Sequence, residues 1–392
     1  MKAIKLLFNK KGIQAMASYI KTIILIPFFG GNIRKYKKAD IWLISDRIDG
    51  FNDSGYWLFK YIIDNNLHTN TYYISKHIKE KYKKNIIKIY SLKHYIFFIR
   101  ATKCISSHNN FTAPSIVVAN RLKDIMPIKK KYIYLGHGIL KCYLAHLKDN
   151  KIKADSIILD SEEEKKYYHS ILNYSEDMLF VTGRPRMDNL YKNDIENMIL
   201  VMPTNRVWIG KVVKNNINKK KFLETEFYTT YQSLLNNQKL IKFINKNNIK
   251  LVFLLHPNTM AFIEQFYAKS KSIEIAINNV ENIQLYLKKT QLLITDYSSV
   301  AFDVAYMQKP IIYYQFDIKR FRKQQYAQAW FSYENAGFGN VIYSENKIVE
   351  EIIRIHNNNY HMDKIFEERI KKIYKYKDQS NSQRAYKVVN EL

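Results

Sequence analysis

The sequence predicts an α/β fold of two domains, each built on a parallel β-sheet. Short apolar runs alternate with helical stretches along most of the chain, which is typical of parallel strands joined by covering helices. The length of 392 residues is typical of two domains. A hydrophobic content of 47% is enough for two cores. We therefore expect two similar α/β halves.

The first half contains a series of apolar runs that indicate strands. They lie at 40–45, 71–75, 86–90, 104–107, 131–135 and 156–159. Helices are predicted at 56–63 and 92–100, and Ser161 is expected to cap a third helix that begins with three glutamates. We place an N-terminal segment at 1–39 and the first domain at 40–195.

The second half repeats this alternation, and we place the second domain at 196–392. Its strands are predicted at 199–202, 250–255, 292–294, 311–314 and 341–343. Its helices are predicted at 222–245, 283–288, 348–355 and 362–376, followed by a charged tail. A basic, asparagine-rich segment at 211–221 is expected to form an exposed loop.

The stretch 291–314 predicts a strand, a polar turn, a short helix and a second strand. Asp296, Ser298 and Ser299 follow the first strand and offer oxygens that can cap the helix. The free N–H groups of a helix N-terminus attract anions, so this unit predicts a phosphate site. A capped βαβ unit without a ligand explains the stretch equally well.

The formal net charge is +28, from 63 basic and 35 acidic residues. Such a charge predicts a polyanionic partner: nucleic acid, anionic lipid or a phosphate-rich substrate. The excess of Lys, Asn, Ile and Tyr is also typical of an AT-rich genome. The two cysteines, Cys104 and Cys142, predict no disulfide framework and indicate a reducing compartment.

The apolar stretch at 15–33 lacks the features of a cleavable signal peptide. Lys21 and two glycines at 30–31 interrupt it, so its apolar part is too short to span a bilayer. Basic residues flank it on both sides, which favours a helix lying in a membrane interface. A helix packed under the first domain fits equally well.

Two histidines directly follow predicted strands. His137 lies between Gly136 and Gly138, and glycines there permit a tight turn and the close approach of a ligand. His256 precedes Pro257, which stiffens its turn. Ligands bind at the carboxyl ends of strands in open α/β sheets, and imidazole suits a general base. Both histidines are therefore candidate catalytic residues, although a structural turn explains each of them too.

Arginines follow two further predicted strands, in Gly183-Arg-Pro-Arg186 and Pro203-Thr-Asn-Arg206. Guanidinium groups match phosphate oxygens in geometry. The sequence contains no P-loop, dinucleotide fingerprint, zinc-spaced cluster or Asp-x-Asp pair for a divalent cation. We therefore expect protein groups to neutralise any bound pyrophosphate, without a metal or another cofactor.

Together these motifs resemble the CDP-glycerol:poly(glycerophosphate) glycerophosphotransferases of teichoic acid synthesis. The resemblance runs from about residue 41 to the final helices. It rests on five ordered motifs, which are Gly136-His-Gly138, Gly183-Arg-Pro-Arg-Met-Asp188, Pro203-Thr-Asn-Arg206, Leu255-His-Pro257 and Thr295-Asp-Tyr-Ser-Ser-Val-Ala-Phe-Asp303 with Lys309-Pro310.

This resemblance implies a GT-B-like fold, in which two Rossmann-like domains face a cleft. It also implies metal-independent transfer of a polyol phosphate from CDP-glycerol or CDP-ribitol to a hydroxyl of a lipid-linked or polysaccharide acceptor, with release of CMP. The implied setting is the synthesis of a teichoic acid-like or capsule polymer. The implied location is cytoplasmic and peripheral, on an anionic membrane surface at the inner face of the cell membrane, and no nucleic-acid partner is expected.

The resemblance also implies roles for single residues. His137 is expected to deprotonate the acceptor hydroxyl, and His256 is the second expected catalytic residue, close to the donor phosphates. The other expected donor-binding residues are Arg186, Arg206, Thr295, Asp296, Ser298 and Ser299. The expected acceptor-side residues are Asn52, Asp53, Gly136 and Gly138.

Departures from the family pattern leave the acceptor open. The family's Thr-Pro-Leu-Lys after His-Gly is shortened to Ile139-Leu-Lys141, Gly136 replaces a common Trp, and Asn205 replaces an aromatic residue. Two alternatives also stay open. One is a GT-B glycosyltransferase that uses a nucleotide sugar, and the other is a non-catalytic basic protein that binds membranes or nucleic acid.

Overall fold

The structure is a computed structural model that describes residues 10–30, 40–47, 50–109, 112–115, 117–118, 129–190, 194–209, 219–277 and 283–392. The chain divides into two compact units, which we call unit one and unit two. Unit one comprises Met1–His137, His146–Asn189 and Asp378–Leu392, and unit two comprises Gly138–Ala145 and Leu190–Lys377. Each unit contains one parallel sheet, which confirms the predicted pair of Rossmann-like α/β domains.

The sheet of unit one has seven parallel strands in the order β3-β2-β1-β4-β5-β6-β7. The strands are β1 (Trp42–Ser45), β2 (Thr71–Ser75), β3 (Ile86–Lys88), β4 (Lys103–Ser106), β5 (Lys131–Tyr134), β6 (Ser156–Leu159) and β7 (Leu179–Val181). Every residue of β1 and β4 is buried, as expected for central strands of a parallel sheet covered on both faces. The strand order reverses between these two strands.

The helices of unit one that come before β7 include α1 (Lys10–Gly30), α2 (Ser54–Asp64), α3 (Leu92–Arg100) and α4 (Glu162–Ser170). Trp42 of β1 and Phe59 of α2 are fully buried in one hydrophobic cluster. Ser161 caps α4 as predicted, because its side chain accepts a hydrogen bond from the Glu164 N–H.

Helix α1 packs against α3 through one of its faces. Ser18 and Thr22 are buried, and the Tyr95 hydroxyl donates to Ser18 Oγ at 3.0 Å. The Lys21 ammonium lies 4.5 Å from the centre of the Tyr95 ring. Within the described ranges, no helix has both the length and the hydropathy needed to cross a bilayer.

The sheet of unit two has six parallel strands in the order β10-β9-β8-β11-β12-β13. They are β8 (Met198–Val201), β9 (Lys250–Leu254), β10 (Ile273–Ala276), β11 (Leu292–Thr295), β12 (Ile311–Tyr314) and β13 (Gly339–Ile342). The order of the first six strands is the same in both units. In unit two it reverses between β8 and β11.

The helices of unit two surround a second hydrophobic core that includes Ile199, Phe253 and Ile294. They include α5 (Lys219–Leu223), α6 (Glu226–Leu235), α7 (Gln238–Lys246), α8 (Ile283–Lys289), α9 (Val300–Tyr306), α10 (Ile318–Gln324), α11 (Tyr333–Ala336), α12 (Glu345–Asn357) and α13 (Lys364–Ile373). Short 3₁₀ helices lie at Glu80–Asn85, Lys148–Asn150, Glu176–Met178, Pro185–Leu190 and Pro257–Gln265.

Some elements differ from the sequence prediction. The stretch predicted as largely helical at 222–245 consists of parts of three helices, α5 to α7, and at its second break the Asn237 side chain accepts from the Leu240 N–H and starts α7. Strand β10 was not predicted. The basic loop predicted at 211–221 is wrong at its end, because Lys219–Lys221 begin helix α5. Residues 211–218 lie outside the described residues, as do the basic flanks of α1 at 1–9 and 31–39.

The predicted charged tail is a helix, α14 (Asn381–Glu391), and it belongs to unit one. Ala385 and Val389 of α14 are fully buried in the cluster that contains Trp42. The Lys103 ammonium donates to the Val389 carbonyl at 2.7 Å. The compact units therefore differ from the predicted domains. The N-terminal segment predicted at 1–39 and Asp378–Leu392 both belong to unit one, whereas Gly138–Ala145 belongs to unit two, which begins again at Leu190 rather than at 196.

Candidate active site

The predicted site residues lie mainly where the strand order of each sheet reverses. Connections leave such a point in opposite directions, and ligands of open α/β sheets bind in the resulting crevice. In unit one, Asn52 and Asp53 follow β1, and His108 follows β4. In unit two, Arg206 follows β8 and Asp296 follows β11. Each unit thus has a candidate site at its own reversal.

The candidate site of unit one centres on Asp53 and His137. Asp53 is the N-cap of α2, and its Oδ1 accepts the Ser54 N–H at 2.9 Å. Its Oδ2 is hydrogen-bonded to Nδ1 of His137. The Asp53 side chain is 8% exposed, whereas that of His137 is 54% exposed. A buried carboxylate therefore orients an imidazole that solvent reaches.

Positive charge keeps the Asp53 carboxylate ionised. Burial on its own raises the pKa of Asp53, but the charge and hydrogen bond of His137 and the charge of Arg186 outweigh burial and lower that pKa. Arg186 Nε lies 3.9 Å from Asp53 Oδ1. The ionised Asp53 accepts a hydrogen bond from the Nδ1–H of His137. This fixes the proton on Nδ1 and leaves Nε2 with the lone pair that a general base needs.

A second carboxylate, Asp46, lies at the same helix N-terminus. It accepts hydrogen bonds from the Gly55 and Tyr56 N–H groups at 2.9 and 2.8 Å, and from the Ser107 hydroxyl at 2.6 Å. Burial and the charge of Asp53 raise the pKa of Asp46 to about 6. Asp46 holds the loop after β1 to the start of α2 and to the end of β4.

The turn that carries the exposed imidazole rests on a buried arginine. Gly136 has φ +66°, and a Cβ there would lie 2.8 Å from Nη2 of Arg184, so the turn requires glycine. Arg184 Nε donates to the Leu135 carbonyl at 2.9 Å. Its guanidinium is paired with Asp160 and, at 2.9 Å, with Glu164. We call these three charged residues the Arg184 network.

His108 is a neighbour of His137 that the motifs did not indicate. The two ring centroids lie 5.2 Å apart. Burial and the nearby His137 lower the pKa of His108 to about 4, so this ring is neutral at pH 7. The signal that would have found it is its position, since His108 directly follows the predicted strand at 104–107 just as His137 follows another.

The other residues predicted on the acceptor side provide shape and polarity. Asn52 is half-buried next to Asp53. Gly138 has φ +150°, a conformation that glycine adopts readily. It begins the short segment Gly138–Ala145, which belongs to unit two.

The candidate site of unit two is built around a fully buried guanidinium. Arg206 Nη2 lies 2.8 Å from Asp296 Oδ2, and Arg206 Nε lies 2.7 Å from Asp317 Oδ2. Arg206 and Asp296 are both 0% exposed. We call these three residues the Arg206 network. The expected direct contact of Arg206 with donor phosphates does not fit this geometry, because two carboxylates already occupy a guanidinium that no solvent reaches.

Asp296 and Thr295 are likewise committed to the protein. Asp296 Oδ1 accepts the N–H groups of Thr204 and Tyr297, at 2.8 and 2.5 Å. The Thr295 hydroxyl donates to the Met202 carbonyl at 2.6 Å. These bonds join the loops after β8 and β11, so both residues hold the site in place. Asp317, in the connection after β12, is a partner that the sequence prediction missed.

Three predicted residues of unit two are more accessible. Ser298 and Ser299 are half-buried at the start of α9, and Ser298 Oγ accepts the Val300 N–H at 3.4 Å. His256 is also half-buried, and its Nδ1 accepts the Asn258 N–H at 3.1 Å. In the neutral ring this bond leaves the proton on Nε2, where it can be donated to a phosphate oxygen.

Lys141 reaches the same loop from the segment Gly138–Ala145. Its ammonium donates to the Tyr297 carbonyl and lies 5.5 Å from the centre of the Tyr333 ring. Burial lowers the pKa of Lys141 to about 8. The sequence shows this residue only as part of a shortened motif, and no local pattern indicates its contact.

Two Rossmann-like sheets, each with polar and cationic side chains at its reversal, place the chain among the GT-B-like α/β proteins. A family model described as CDP-Glycerol:Poly(glycerophosphate) glycerophosphotransferase matches residues 28–391. The chain therefore belongs to the CDP-glycerol:poly(glycerophosphate) glycerophosphotransferase family.

Curated relatives act in teichoic acid synthesis. The chain is 31% identical to the minor teichoic acid biosynthesis protein GgaB of Bacillus subtilis (strain 168), over 91% of this chain and 40% of GgaB. It is 24% identical to the teichoic acid ribitol-phosphate polymerase TarL of Staphylococcus aureus, over 58% of this chain and 39% of TarL. The chain thus spans about 40% of the length of these relatives.

A solved structure supports the fold. The wall teichoic acid polymerase TagF superposes with a TM-score of 0.69 at 14% sequence identity. The match covers 97% of this chain and 98% of the TagF chain.

Proposed function

We propose that this chain transfers a polyol phosphate from a CDP-activated donor to a hydroxyl of a lipid-linked or polysaccharide acceptor and releases CMP. Glycerol phosphate is the first choice, because the family is described by CDP-glycerol, and ribitol phosphate is the second. The observation that carries the proposal is the exposed His137 imidazole held by the buried, ionised Asp53. The product belongs to a teichoic acid-like or capsule polymer.

In the proposed reaction, Nε2 of His137 accepts the proton of the acceptor hydroxyl while the acceptor oxygen attacks the phosphorus that bears the polyol. A new oxygen–phosphorus bond forms. The bond from this phosphorus to the bridging oxygen breaks, and that oxygen leaves with CMP. The proton stays on the imidazole, where Asp53 stabilises the positive charge.

The donor phosphates are assigned to groups that can donate hydrogen bonds. These are the His256 imidazole, the hydroxyls of Ser298 and Ser299, and the Arg186 guanidinium. Phosphoryl transfer depends chiefly on positioning and on stabilising charge, so we assign these roles to such groups and propose that no metal ion is required. Thr295, Asp296 and Arg206 act as positioning residues, since their polar atoms are buried and bound within unit two.

The test is CMP release by the purified chain from CDP-glycerol and from CDP-ribitol, with lipid-linked disaccharide or cell-wall glycan as acceptor, in the presence of EDTA. We expect release in EDTA, and a loss of about 10²–10⁴-fold in His137→Gln, the usual contribution of a general base. His169→Gln is the matched control, because His169 is a half-exposed histidine at the end of α4, outside the site.

Other outcomes of the same assay contradict the proposal in distinct ways. UDP release from a UDP-sugar, without CMP release from either donor, would make the chain a nucleotide-sugar glycosyltransferase. CMP release that vanishes in EDTA and returns with a divalent ion would overturn metal independence. Unchanged release by His137→Gln would remove this histidine from its role as the base.

We further propose that α1 rests on an anionic membrane surface, which places the protein peripherally at the inner face of the cell membrane. The face of α1 directed away from α3 exposes four large apolar side chains at spacings of seven, four and four residues, which places them in one stripe along the helix. They are Ile13, Ile20, Ile24 and Phe28, with exposed fractions of 57, 52, 57 and 71%. The net charge of +28 favours anionic lipid.

Sedimentation with vesicles tests the membrane proposal. We expect the chain to pellet with phosphatidylglycerol vesicles at low salt, and the pelleted fraction to fall in Ile20→Asp/Ile24→Asp. Ile171→Asp is the control, because Ile171 is equally exposed but lies at the end of α4. A chain that stays in the supernatant with phosphatidylglycerol at low salt would refute this contact.

A further inference from the structure

We propose that Asp53, His108 and His137 form a binding site for a divalent transition metal ion of the Zn²⁺ class, and that metal binding blocks activation of the acceptor. The site itself rests on the placement of three side chains in unit one. Its inhibitory effect rests in addition on the proposed function, in which His137 is the base.

The three side chains already lie at near-ligating distances. One ligand atom from each of Asp53, His108 and His137 lies within 4.8 Å of the other two. Two ligands of a tetrahedral Zn²⁺ ion, each at about 2.0–2.2 Å from the metal, are roughly 3.4 Å apart. Closing this difference takes a side-chain movement of about 1 Å. The residues come from loops after β1, β4 and β5, which are neighbours in the sheet.

His108 provides an independent reason to expect a ligand. Its Nε2 is buried and has no hydrogen-bond partner within the described part of the chain. Buried polar atoms in native proteins are nearly always paired, so an unpaired ring nitrogen beside two other donors suggests a ligand. The backbone N–H of His108 donates to Ser106 Oγ at 3.0 Å, which fixes the loop that aims the ring.

The ligand set selects the metal. Two imidazoles and one carboxylate favour Zn²⁺ and similar ions, whereas Mg²⁺ and Ca²⁺ prefer sites made entirely of oxygen. Asp53 supplies the single negative charge, and Arg186 at 3.9 Å opposes the cation. Three protein ligands leave a fourth position for water, whereas structural zinc sites are closed by four protein ligands.

Metal binding and base function exclude each other at His137. A neutral imidazole has one nitrogen with a lone pair, and its other nitrogen carries the proton. If Nδ1 binds the metal, it must leave its hydrogen bond with Asp53, and the proton then sits on Nε2. If Nε2 binds the metal, the lone pair that faces the acceptor is used. In both cases no acceptor proton can be taken, so the metal inhibits reversibly.

The first experiment titrates the full chain with Co²⁺ and follows the visible absorption of the ion, with Zn²⁺ as the competitor. We expect bands of a low-coordinate Co²⁺ complex that Zn²⁺ abolishes. His108→Phe keeps an aromatic ring against His137 but removes one ligand, and we expect it to weaken binding at least tenfold. His169→Phe is the control and should bind like the wild type. Equal affinity in His108→Phe and the wild type would overturn the site.

The second experiment adds Zn²⁺ to the CMP-release assay. Wild-type release should fall with Zn²⁺ and recover with EDTA, and His108→Phe should need at least tenfold more Zn²⁺ for the same relative inhibition. If Zn²⁺ binds an active chain without inhibiting it, the proposed inhibition is refuted but the proposed metal site still stands. If the chain shows no release with any donor, the proposed function fails while the Co²⁺ titration still decides the site.

X-ray absorption at the zinc edge of the wild-type complex provides a check that needs no variant. Two imidazoles and one carboxylate around the ion are expected. A shell that contains sulfur or fewer than two imidazoles would exclude this site even if His108→Phe does not fold.

Discussion

Each unit buries one arginine against two carboxylates at the ends of its strands, but the two networks do different work. The Arg184 network lies behind the exposed His137, supports its turn, and contains no residue that was predicted as a site residue. The Arg206 network consists partly of predicted site residues, namely Arg206 and Asp296. Family motifs therefore combine accessible residues, such as His137, with buried residues, such as Arg206, that hold the loops in place.

The two units also differ in which polar side chains are accessible to solvent. Unit one offers a single exposed imidazole on a buried acid, which suits proton transfer. Unit two offers half-buried hydroxyls and the His256 ring, which suit hydrogen bonds to phosphate oxygens. This contrast supports the assignment of the base to unit one and of the hydroxyl and His256 contacts with donor phosphates to unit two, whereas Arg186, the remaining proposed donor-binding group, belongs to unit one.

The largest expected effect comes from removing either buried arginine. Arg184→Met and Arg206→Met each leave two buried carboxylates without their cation, which should cost about 3–5 kcal/mol of unfolding free energy. Urea unfolding measures the loss, and hydrogen exchange locates it. We expect faster exchange in unit one for Arg184→Met and in unit two for Arg206→Met.

Arg354→Met is the control for both variants. Arg354 also bonds two carboxylates, Glu351 and Asp363, at 2.7 and 2.8 Å, but its side chain is 44% exposed. Solvent screening should keep its effect within about 1 kcal/mol. A control that destabilises the chain as much as Arg206→Met would show that burial is not what distinguishes the networks.

An intermediate effect is expected from pH, and it should be concentrated in unit one. His94 is fully buried, with Nε2 2.7 Å from the Thr112 carbonyl, and burial lowers its pKa from 6.5 to about 4. Between pH 6.5 and about 4, the His94 side chain binds a proton more tightly in the unfolded chain than in the folded chain. The stability that neutral, buried His94 contributes is therefore fully present above pH 6.5 and is lost as the pH falls toward 4. Its full size is about 3 kcal/mol.

The comparison of wild type with His94→Gln isolates this effect from other groups. Asp46 acts in the opposite direction, because its raised pKa makes the folded chain bind the proton more tightly between pH 3.8 and about 6. The advantage of the wild type over His94→Gln should shrink by about 2 kcal/mol between pH 7 and pH 4.5 in urea unfolding. A constant advantage would contradict the assignment.

The smallest expected effect on stability comes from removing one N-cap in each unit. Ser161 Oγ accepts the Glu164 N–H at 3.0 Å, and Thr225 Oγ1 accepts the Tyr228 N–H at 3.2 Å. Replacing either residue with Ala should cost about 1 kcal/mol. Ser161→Ala should cost more, since it also loosens Glu164 of the Arg184 network. The free energy of unfolding of both variants is measured by chemical unfolding. If Thr225→Ala lost more of it than Ser161→Ala, the Ser161 cap would not support the Arg184 network.

Local patterns were sufficient to predict most of the sheets. The strands predicted at 71–75, 156–159 and 311–314 coincide with the observed ones, because apolar runs of that length are needed inside a parallel sheet. Strand β10 was missed because it is an edge strand that carries Glu274 and is only partly buried. Helix α14 was missed because only a few of its residues, including Ala385 and Val389, are apolar and buried.

The candidate sites were predicted in position but not in their pairings. Motifs at strand ends indicated His137, His256 and Asp296, since strand ends share one edge of a sheet. Pairings such as Arg206 with Asp317 join residues 111 positions apart, and no local pattern encodes them. For the same reason the sequence did not show that the Arg206 guanidinium is enclosed by carboxylates.

The closure of unit one by α14 has a consequence for protein synthesis. Asp378–Leu392 leaves the ribosome only after all of unit two, yet Ala385 and Val389 share a hydrophobic cluster with Trp42 near the beginning of the chain. Unit two can therefore complete its core during translation, while unit one must wait with part of its apolar surface uncovered. A nascent chain that stops after Lys377 lacks both these side chains and the carbonyl that binds the Lys103 ammonium. Quality control acting on exposed apolar surface would thus distinguish chains that contain α14 from chains that end before it.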